Sequence, residues 1–196
     1  MDAPEGALRV LVLCTGSVAC VKVPRLVERL RRSGAAVRVV ATSAALHFLH
    51  SVPDAEREGV LADALVTDSD EWSTWGAIGD PVLHIELRRW ADVAVLAPLD
   101  ANTLAKLAHG ICDNLVTCVM RAWSIGEKGV VVAPAMNTAM YIHPATGPQL
   151  ETLERWYAPK CIVVPPVTKT LACGDSGVGA MASVDDIVAA VMSFVC

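Results

Sequence analysis

The sequence predicts one α/β domain, residues 1–196, built on a doubly wound parallel sheet. Apolar runs of strand length alternate with amphipathic helical patterns, as in parallel sheets that carry helices on both faces. Segments that contain glycine or small polar residues follow the apolar runs at positions 16–17, 42–43, 100–103 and 135–137. Because the carboxyl ends of parallel strands meet at one edge of the sheet, these four segments together predict a single ligand site at that edge.

Composition argues against several classes of protein. The chain has 196 residues, 54% of them apolar, which is enough to bury a core and argues against disorder. A net charge of −5 argues against nucleic acid or an anionic membrane as the partner. No apolar run reaches the roughly 18 residues of a membrane span, and the N-terminus lacks the basic region of a secretory signal. We therefore expect a cytoplasmic protein without nucleic-acid or membrane partners.

The cysteines also favour a reducing compartment. There are seven, an odd number without a C-x-x-C pair, which fits neither a disulfide framework nor a usual zinc site. Cys173 lies in a polar, glycine-rich loop. The other six have apolar neighbours and are interpreted as reduced core thiols: Cys14, Cys20, Cys112, Cys118, Cys161 and Cys196.

The first strand is predicted over residues 8–13, and a helical pattern follows from residue 18 to Gly34. Gly16 allows the backbone to approach a ligand, and Ser17 can either cap the helix or contact a phosphate. A complete G-x-G-x-x-G fingerprint is absent. Pro24 lies within the helical pattern and predicts a kink.

The second strand is predicted over residues 37–41, before a helix over 44–50. Thr42 and Ser43 lie between them and are either helix caps or hydroxyl ligands of the same bound molecule. Residues 51–79 are less regular, with a short strand ending near Val66. Trp72 and Trp75 follow, and they suggest packing or a subunit contact rather than chemistry.

The stretch 82–103, VLHIELRRWADVAVLAPLDANT, is the centre of the predicted site. His84 comes first and is a candidate for proton transfer near neutral pH. A buried strand is predicted over residues 93–97. The polar turn 100–103 then begins a helix, and its free N–H groups suit a phosphate or a polar ring edge.

The last third of the chain continues the alternation. A strand over residues 130–133 leads to Asn137, which has the same kind of position as Asn102. Residues 148–156 form a helix, 161–164 are predicted as the last strand, and 184–195 form a closing helix. The segment 172–181 has three glycines and is predicted to be a mobile loop.

Six motifs together resemble one enzyme family, the flavin-dependent cysteine decarboxylases. They follow the family's order over nearly the whole chain, and the chain departs from the pattern at Tyr141, where a tryptophan is usual. The motifs are T-G-S-V at 15–18, D-P-V-L-H-I-E-L-R-R-W-A-D at 80–92, A-P-L-D-A-N-T-L at 97–104, C-D-N-L-x-T-C at 112–118, P-A-M-N-x-x-M at 134–140 and A-C-G-D-x-G-x-G-A-M-A at 172–182.

The resemblance implies a flavodoxin-like or Rossmann-like fold, bound FMN, and a homotrimer with FMN near a subunit interface. It also implies a carboxy-lyase activity of coenzyme A biosynthesis, the conversion of 4′-phospho-N-pantothenoylcysteine to 4′-phosphopantetheine. Carbon dioxide loss from a cysteine carboxylate needs an electron sink. Oxidation of the Cβ–S unit to a thioaldehyde supplies one, and the ene-thiol left after decarboxylation is then reduced again.

The resemblance also implies roles for individual residues. His84 is expected to be the catalytic base or proton relay, and Cys173 to reprotonate the product beneath a loop that closes over substrate. Asn137 is expected to hold the substrate carboxylate, with Met136 and Met140 shaping the pocket. The residues expected to hold FMN are Gly16, Ser17, Val18, Ser43, Phe48, Asp100, Ala101, Asn102, Thr103 and Ala135.

Four other functions remain open at this stage. A related enzyme would decarboxylate the C-terminal cysteine of a peptide, although the cysteine-containing loop favours the small phosphorylated substrate. A relative that regulates a protein phosphatase usually carries long acidic tails, and a flavin-prenylating enzyme should lack the cysteine loop. A flavodoxin-like electron carrier would need neither His84 nor Asn137.

Overall fold

Six parallel strands form the central sheet, in the order β3-β2-β1-β4-β5-β6. The computed structural model describes residues 6–54, 61, 64–170 and 176–195. The predicted doubly wound parallel sheet is confirmed, and the strand order reverses between β1 and β4. The strands are β1 Arg9–Cys14, β2 Ala36–Ala41, β3 Leu65–Thr67, β4 Val93–Leu99, β5 Gly129–Pro134 and β6 Cys161–Val163.

Helices cover both faces of the sheet. A 3₁₀ turn, Val18–Lys22, precedes the first helix, so Pro24 lies in the first turn of that helix and not in its interior. The predicted kink there is therefore wrong, since a proline in the first turn removes no helical hydrogen bond. The helices are α1 Val23–Arg32, α2 Ser43–Leu49, α3 Asp68–Thr74, α4 Leu83–Trp90, α5 Ala101–Ala108, α6 Leu115–Arg121, α7 Thr138–Tyr141, α8 Thr146–Tyr157 and α9 Val184–Met192.

Two apolar cores result, one on each face, because alternate residues of a strand point to opposite sides. In β1, Val10 and Val12 pack under α1, α2 and α9, whereas Leu11 and Leu13 pack under α4, α5, α6 and α8. Every residue of β4 is buried, as expected for a central strand with both faces covered.

The C-terminal third differs from the prediction. The strand over 161–164 is not the last, because β7 (Val167–Thr170) and β8 (Ser176–Ala180) form a separate antiparallel hairpin. The glycine-rich sequence of β8 is poor in strand-forming residues, so its pattern indicated a loop. Gly179 has φ of +139°, and a Cβ there would lie 2.4 Å from the carbonyl oxygen of Met136. Glycine thus lets the hairpin approach the end of β5.

The cysteine interpretation is confirmed for the fully buried Cys14 and Cys20. Burial raises the pKa of both thiols, that of Cys20 to about 11, so they are neutral packing groups. For Cys112 the interpretation is wrong, because this residue is exposed in the loop before α6. Cys196 lies outside the described residues. The partly buried cysteines are Cys118 and Cys161.

Among the described residues, the helices are too short or too polar to cross a membrane.

Candidate active site

A buried threonine ties the ends of β1 and β4 together. The backbone N–H and the hydroxyl of Thr15 both donate to the carbonyl oxygen of Pro98, at 3.1 and 2.8 Å. The backbone N–H of Asp100 in turn donates to the Thr15 hydroxyl oxygen at 2.7 Å. These bonds fix the two loops that leave the sheet where the strand order reverses, the place where open sheets bind ligands.

The loop after β1 has no room for a larger residue at its first position. A Cβ on Gly16 would lie 2.9 Å from the Cβ of Ala44 and 3.0 Å from Oδ2 of Asp100. Ser17 follows, and its hydroxyl oxygen accepts a hydrogen bond from the backbone N–H of Ala19 at 3.3 Å. Helix capping, one of the two roles predicted for Ser17, is therefore confirmed, and Gly16 and Ser17 both line the cavity described below.

The turn after β4 is a helix start. Oδ1 of Asp100 accepts a hydrogen bond from the backbone N–H of Thr103 at 2.8 Å, which begins α5. Ala101 and Asn102 form the first turn beside the same cavity. A helix start carries unpaired N–H groups and a partial positive charge, so it suits an anionic or polar ligand edge.

The segment after β5 and the hairpin β7–β8 form the opposite wall. The backbone N–H of Ala135 donates to the carbonyl oxygen of Leu99 at 2.9 Å. The backbone N–H of Met136 donates to the carbonyl oxygen of Gly179 at 3.0 Å. Asn137 caps α7 through a hydrogen bond from the backbone N–H of Ala139 to its Oδ1 at 2.8 Å. This wall is thus held on one side by the sheet and on the other by the hairpin.

These walls enclose a cavity of about 520 Å³, a size typical of cofactor and substrate pockets. It brings together most of the residues expected at the site. Those that line it are Gly16, Ser17, Val18, Phe48, Asp100, Ala101, Asn102, Ala135, Met136, Asn137 and Met140.

Sequence reasoning missed part of the lining. Val21 and Lys22 lie one helical turn after Val18, so helical spacing from the T-G-S-V motif could have found them. Nζ of Lys22 donates to the carbonyl oxygen of Met181 at 3.3 Å, which joins the 3₁₀ turn to the segment after β8. The residues of β8 and Met181 belong to the motif at 172–182, which was expected to be a loop over the substrate and was not assigned to the cavity lining. The missed residues are Ala19, Val21, Lys22, Gly179, Ala180 and Met181.

Three expected site residues do not line this cavity. Ser43 is an exposed first residue of α2, where Thr42 provides the cap by accepting from the backbone N–H of Ala45 at 3.2 Å. Thr103 is buried in the first turn of α5, where its backbone N–H donates to the capping Asp100. His84 lies on α4, as described next. Cys173 lies outside the described residues.

His84 is paired with an acid. Its Nδ1 lies 2.5 Å from Oε1 of Glu71, a residue of α3. The Glu71 side chain is 12% exposed and that of His84 27%, so the pair is largely enclosed while the imidazole keeps contact with solvent.

Cys118 completes this group, and the three candidate ligand atoms lie within 4.8 Å of one another. Burial, and then the charge of Glu71, raises the pKa of the Cys118 thiol to about 11. The structure shows this group as a hydrogen-bonded Glu71–His84 pair beside the Cys118 thiol.

Comparison with known proteins identifies the class. The flavoprotein family model matches residues 2–196. The chain therefore belongs to the flavoprotein family.

Within that family the chain groups with phosphopantothenoylcysteine decarboxylases. The enzyme of that name from Mus musculus is 50% identical over 194 residues, which cover 98% of this chain and 90% of the mouse protein. A mutant PPC decarboxylase complexed with pantothenoylaminoethenethiol has 47% identity and a TM-score of 0.87, over 96% of this chain and 98% of that one. The FMN binding protein AtHal3 has 48% identity and a TM-score of 0.83, over 95% and 96% of the two chains.

Proposed function

We propose that this protein is an FMN-dependent carboxy-lyase that converts 4′-phospho-N-pantothenoylcysteine to 4′-phosphopantetheine in coenzyme A biosynthesis. The observation that carries the proposal is the cavity at the ends of β1, β4 and β5, which is lined by residues of the quoted motifs. The chain as a whole is 50% identical to a named phosphopantothenoylcysteine decarboxylase. In this proposal residues 1–196 act as one FMN-binding decarboxylase domain.

The cavity fits FMN in size and in chemistry. A volume of about 520 Å³ suits a ring system with a phosphorylated side chain. The close approach at Gly16 and the helix start at Asp100 provide backbone N–H groups for polar atoms and phosphate. Val18, Phe48 and Met136 provide apolar surface for a flat ring. We assign Ser17, Ala101, Asn102 and Ala135 to the same cradle, with Ser43 and Thr103 supporting it from outside the lining.

The substrate would occupy the part of the cavity nearest the hairpin. Asn137 offers a neutral amide that can orient a carboxylate without the strong ion pair that would oppose loss of carbon dioxide. Met136 and Met140 shape the space beside it, since methionine adapts to irregular apolar surfaces. This placement is supported by the common lining of Asn137, Met136 and Met140 with the cradle residues.

Bound FMN would supply the hydride acceptor and donor for the oxidation and later reduction of the substrate's carbon–sulfur unit. His84 would take the thiol proton that must leave during oxidation, a task suited to an imidazole near neutral pH. Cys173, as a thiol acid, would return a proton to the ene-thiol after carbon dioxide has left. The ene-thiol in the name of the pantothenoylaminoethenethiol complex is consistent with this order of steps.

The proposal includes a homotrimer with FMN near a subunit interface. His84 does not line the cavity of its own chain, and in this proposal a second subunit brings its His84 to the site. Exposed apolar side chains lie close in sequence to α4 and offer a surface for such a contact: Trp72, Trp75, Ile78 and Val82. The trimer would have about three times the chain mass of 20.7 kDa by light scattering.

We also propose a cytoplasmic location. The described cysteines are free thiols, as expected where glutathione keeps thiols reduced.

The test is carbon dioxide release from 4′-phospho-N-pantothenoylcysteine by the purified holoprotein. We expect release that depends on bound FMN, and a Cys173→Ser variant should accumulate the ene-thiol. A peptide ending in cysteine is the matched alternative substrate. Release from the peptide alone would contradict the proposed substrate, and release from neither by the FMN-loaded protein would contradict the activity.

A further inference from the structure

We infer that Glu71 is the positioning residue for His84, holding its ring in one tautomer and orientation for proton transfer. This inference rests on the proposed function. Glu71 belongs to none of the motifs quoted above, and it lies thirteen residues before its partner in the chain.

The contact defines which ring nitrogen is available. A carboxylate can only accept hydrogen bonds, so Nδ1, 2.5 Å from Oε1 of Glu71, must carry the hydrogen. In the neutral imidazole the other nitrogen, Nε2, then has the lone pair and can take a proton. An imidazole whose other edge is held by a carboxylate in this way is the general arrangement of an oriented base.

The carboxylate is itself held in place. Helix α3 begins with a capping box, in which the backbone N–H and the hydroxyl of Thr67 both donate to Oδ2 of Asp70 at 2.7 Å. One residue into the helix, Oδ1 of Asp68 accepts a hydrogen bond from the backbone N–H of Leu115 at 2.7 Å, which ties α3 to the start of α6. Glu71 thus lies in a helical turn fixed at two points.

Cys118 of α6 lies beside the Glu71–His84 pair. Its thiol stays neutral at neutral pH because burial and the nearby Glu71 carboxylate both disfavour the thiolate. It therefore adds no charge that would compete for Glu71. Two helices, α3 and α6, enclose the edge of His84 that faces Glu71, while the side chain keeps 27% of its surface exposed.

The experiment compares Glu71→Gln with Glu86→Gln in the FMN-loaded protein. Glu86 is a matched control because it lies on α4, the helix of His84, and pairs instead with Arg89 at 2.8 Å. General bases contribute about 10²- to 10⁴-fold to rate, and a residue that orients one should account for roughly 10-fold or more of kcat. We expect that loss for Glu71→Gln with little change in KM or in bound FMN, and no change for Glu86→Gln.

A second readout separates this inference from the proposed activity. In protein labelled with ¹⁵N-histidine, the ring signals of His84, assigned by their absence in His84→Asn, report which nitrogen carries the hydrogen. We expect them to shift in Glu71→Gln and to stay in place in Glu86→Gln. Unchanged signals in Glu71→Gln, or equal kcat values for the two variants, would overturn the inference. If the wild-type protein does not release carbon dioxide, the proposed function is overturned. The ring signals of His84 then still test the Glu71–His84 pair.

Discussion

The cavity and the Glu71–His84 pair are built by different parts of the chain. The cavity lies at the ends of parallel strands, and its lining combines small residues such as Gly16 and Ala101 with larger ones such as Phe48 and Met136. The pair is made by two long side chains on helices that meet over one face of the sheet. The first arrangement follows from sheet topology and suits the binding of a cofactor, whereas the second depends on helix packing and suits the transfer of a proton.

This contrast predicts that binding and turnover can be lost separately. His84→Asn removes the proposed base and leaves every residue of the cavity lining in place, so FMN should remain bound. We expect carbon dioxide release to fall by about 10²- to 10⁴-fold, the usual contribution of a general base. Absorbance of the bound flavin and the rate of carbon dioxide release measure the two effects on one sample.

Mixing two variant chains tests whether His84 acts at the cavity of a neighbouring subunit. A His84→Asn chain has an intact cavity, and a Gly16→Ala chain has an intact histidine. If His84 acts at a neighbour's cavity, unfolding and refolding the two impaired proteins together should restore part of the activity, measured at an FMN concentration that loads the wild-type cavity but not the Gly16→Ala cavity. Normal turnover by His84→Asn alone would contradict the assigned role, and mixtures with no regained activity would contradict a shared site.

Gly16→Ala should produce the opposite loss. Its new methyl group would meet Ala44 and Asp100 at about 3 Å, so the loops must move apart. Overpacking of this kind costs about 1–3 kcal/mol, and if the FMN-bound state carries that cost, FMN should bind roughly 5- to 150-fold more weakly in a fluorescence titration.

Gly147→Ala is the control for that substitution. Gly147 is exposed within α8 and a Cβ there would contact nothing within 4 Å. Because Gly147 has open space for a methyl group and does not line the cavity, FMN affinity should stay constant. Equal FMN affinities for the two variants would show that the cradle does not depend on the close approach at Gly16.

The same contrast explains how much the sequence could predict. Apolar runs identified the six parallel strands, and the polar residues after them identified most of the cavity lining. Gly179 and Met181 were missed because a glycine-rich hairpin has no apolar alternation. Glu71 was missed because its contact with His84 is created by the packing of α3 against α4, and residues 51–79 show no periodicity that would orient that helix.

A salt bridge at the amino end of the sheet belongs to neither the cavity nor the Glu71–His84 pair, so it serves as a reference for both. Arg9 begins β1 and Asp92 precedes β4, and the guanidinium donates to both carboxylate oxygens at 3.0 and 2.6 Å. Burial alone would raise the pKa of Asp92, but its hydrogen bonds from Arg9 and the nearby positive charges lower it overall. Folding therefore favours the ionised form of the Asp92 carboxyl group.

Asp92→Asn should accordingly change stability and leave both functional regions intact. A carboxyl whose pKa is lowered by folding stabilises above its unfolded pKa of about 3.9, and the effect is lost as the pH falls through the folded value. With both side chains more than a third exposed, the pair is worth about 0.2–1 kcal/mol, or roughly 1–4 °C in melting temperature at pH 7.

Asp185→Asn, in the more exposed pair with Arg29, is the control and should change the melting temperature less. The difference between wild type and Asp92→Asn should shrink below pH 4, while FMN affinity and carbon dioxide release at pH 7 stay constant. A loss of either function in Asp92→Asn would mean that the amino end of the sheet is coupled to the site, and that the cavity is not defined by the strand ends alone.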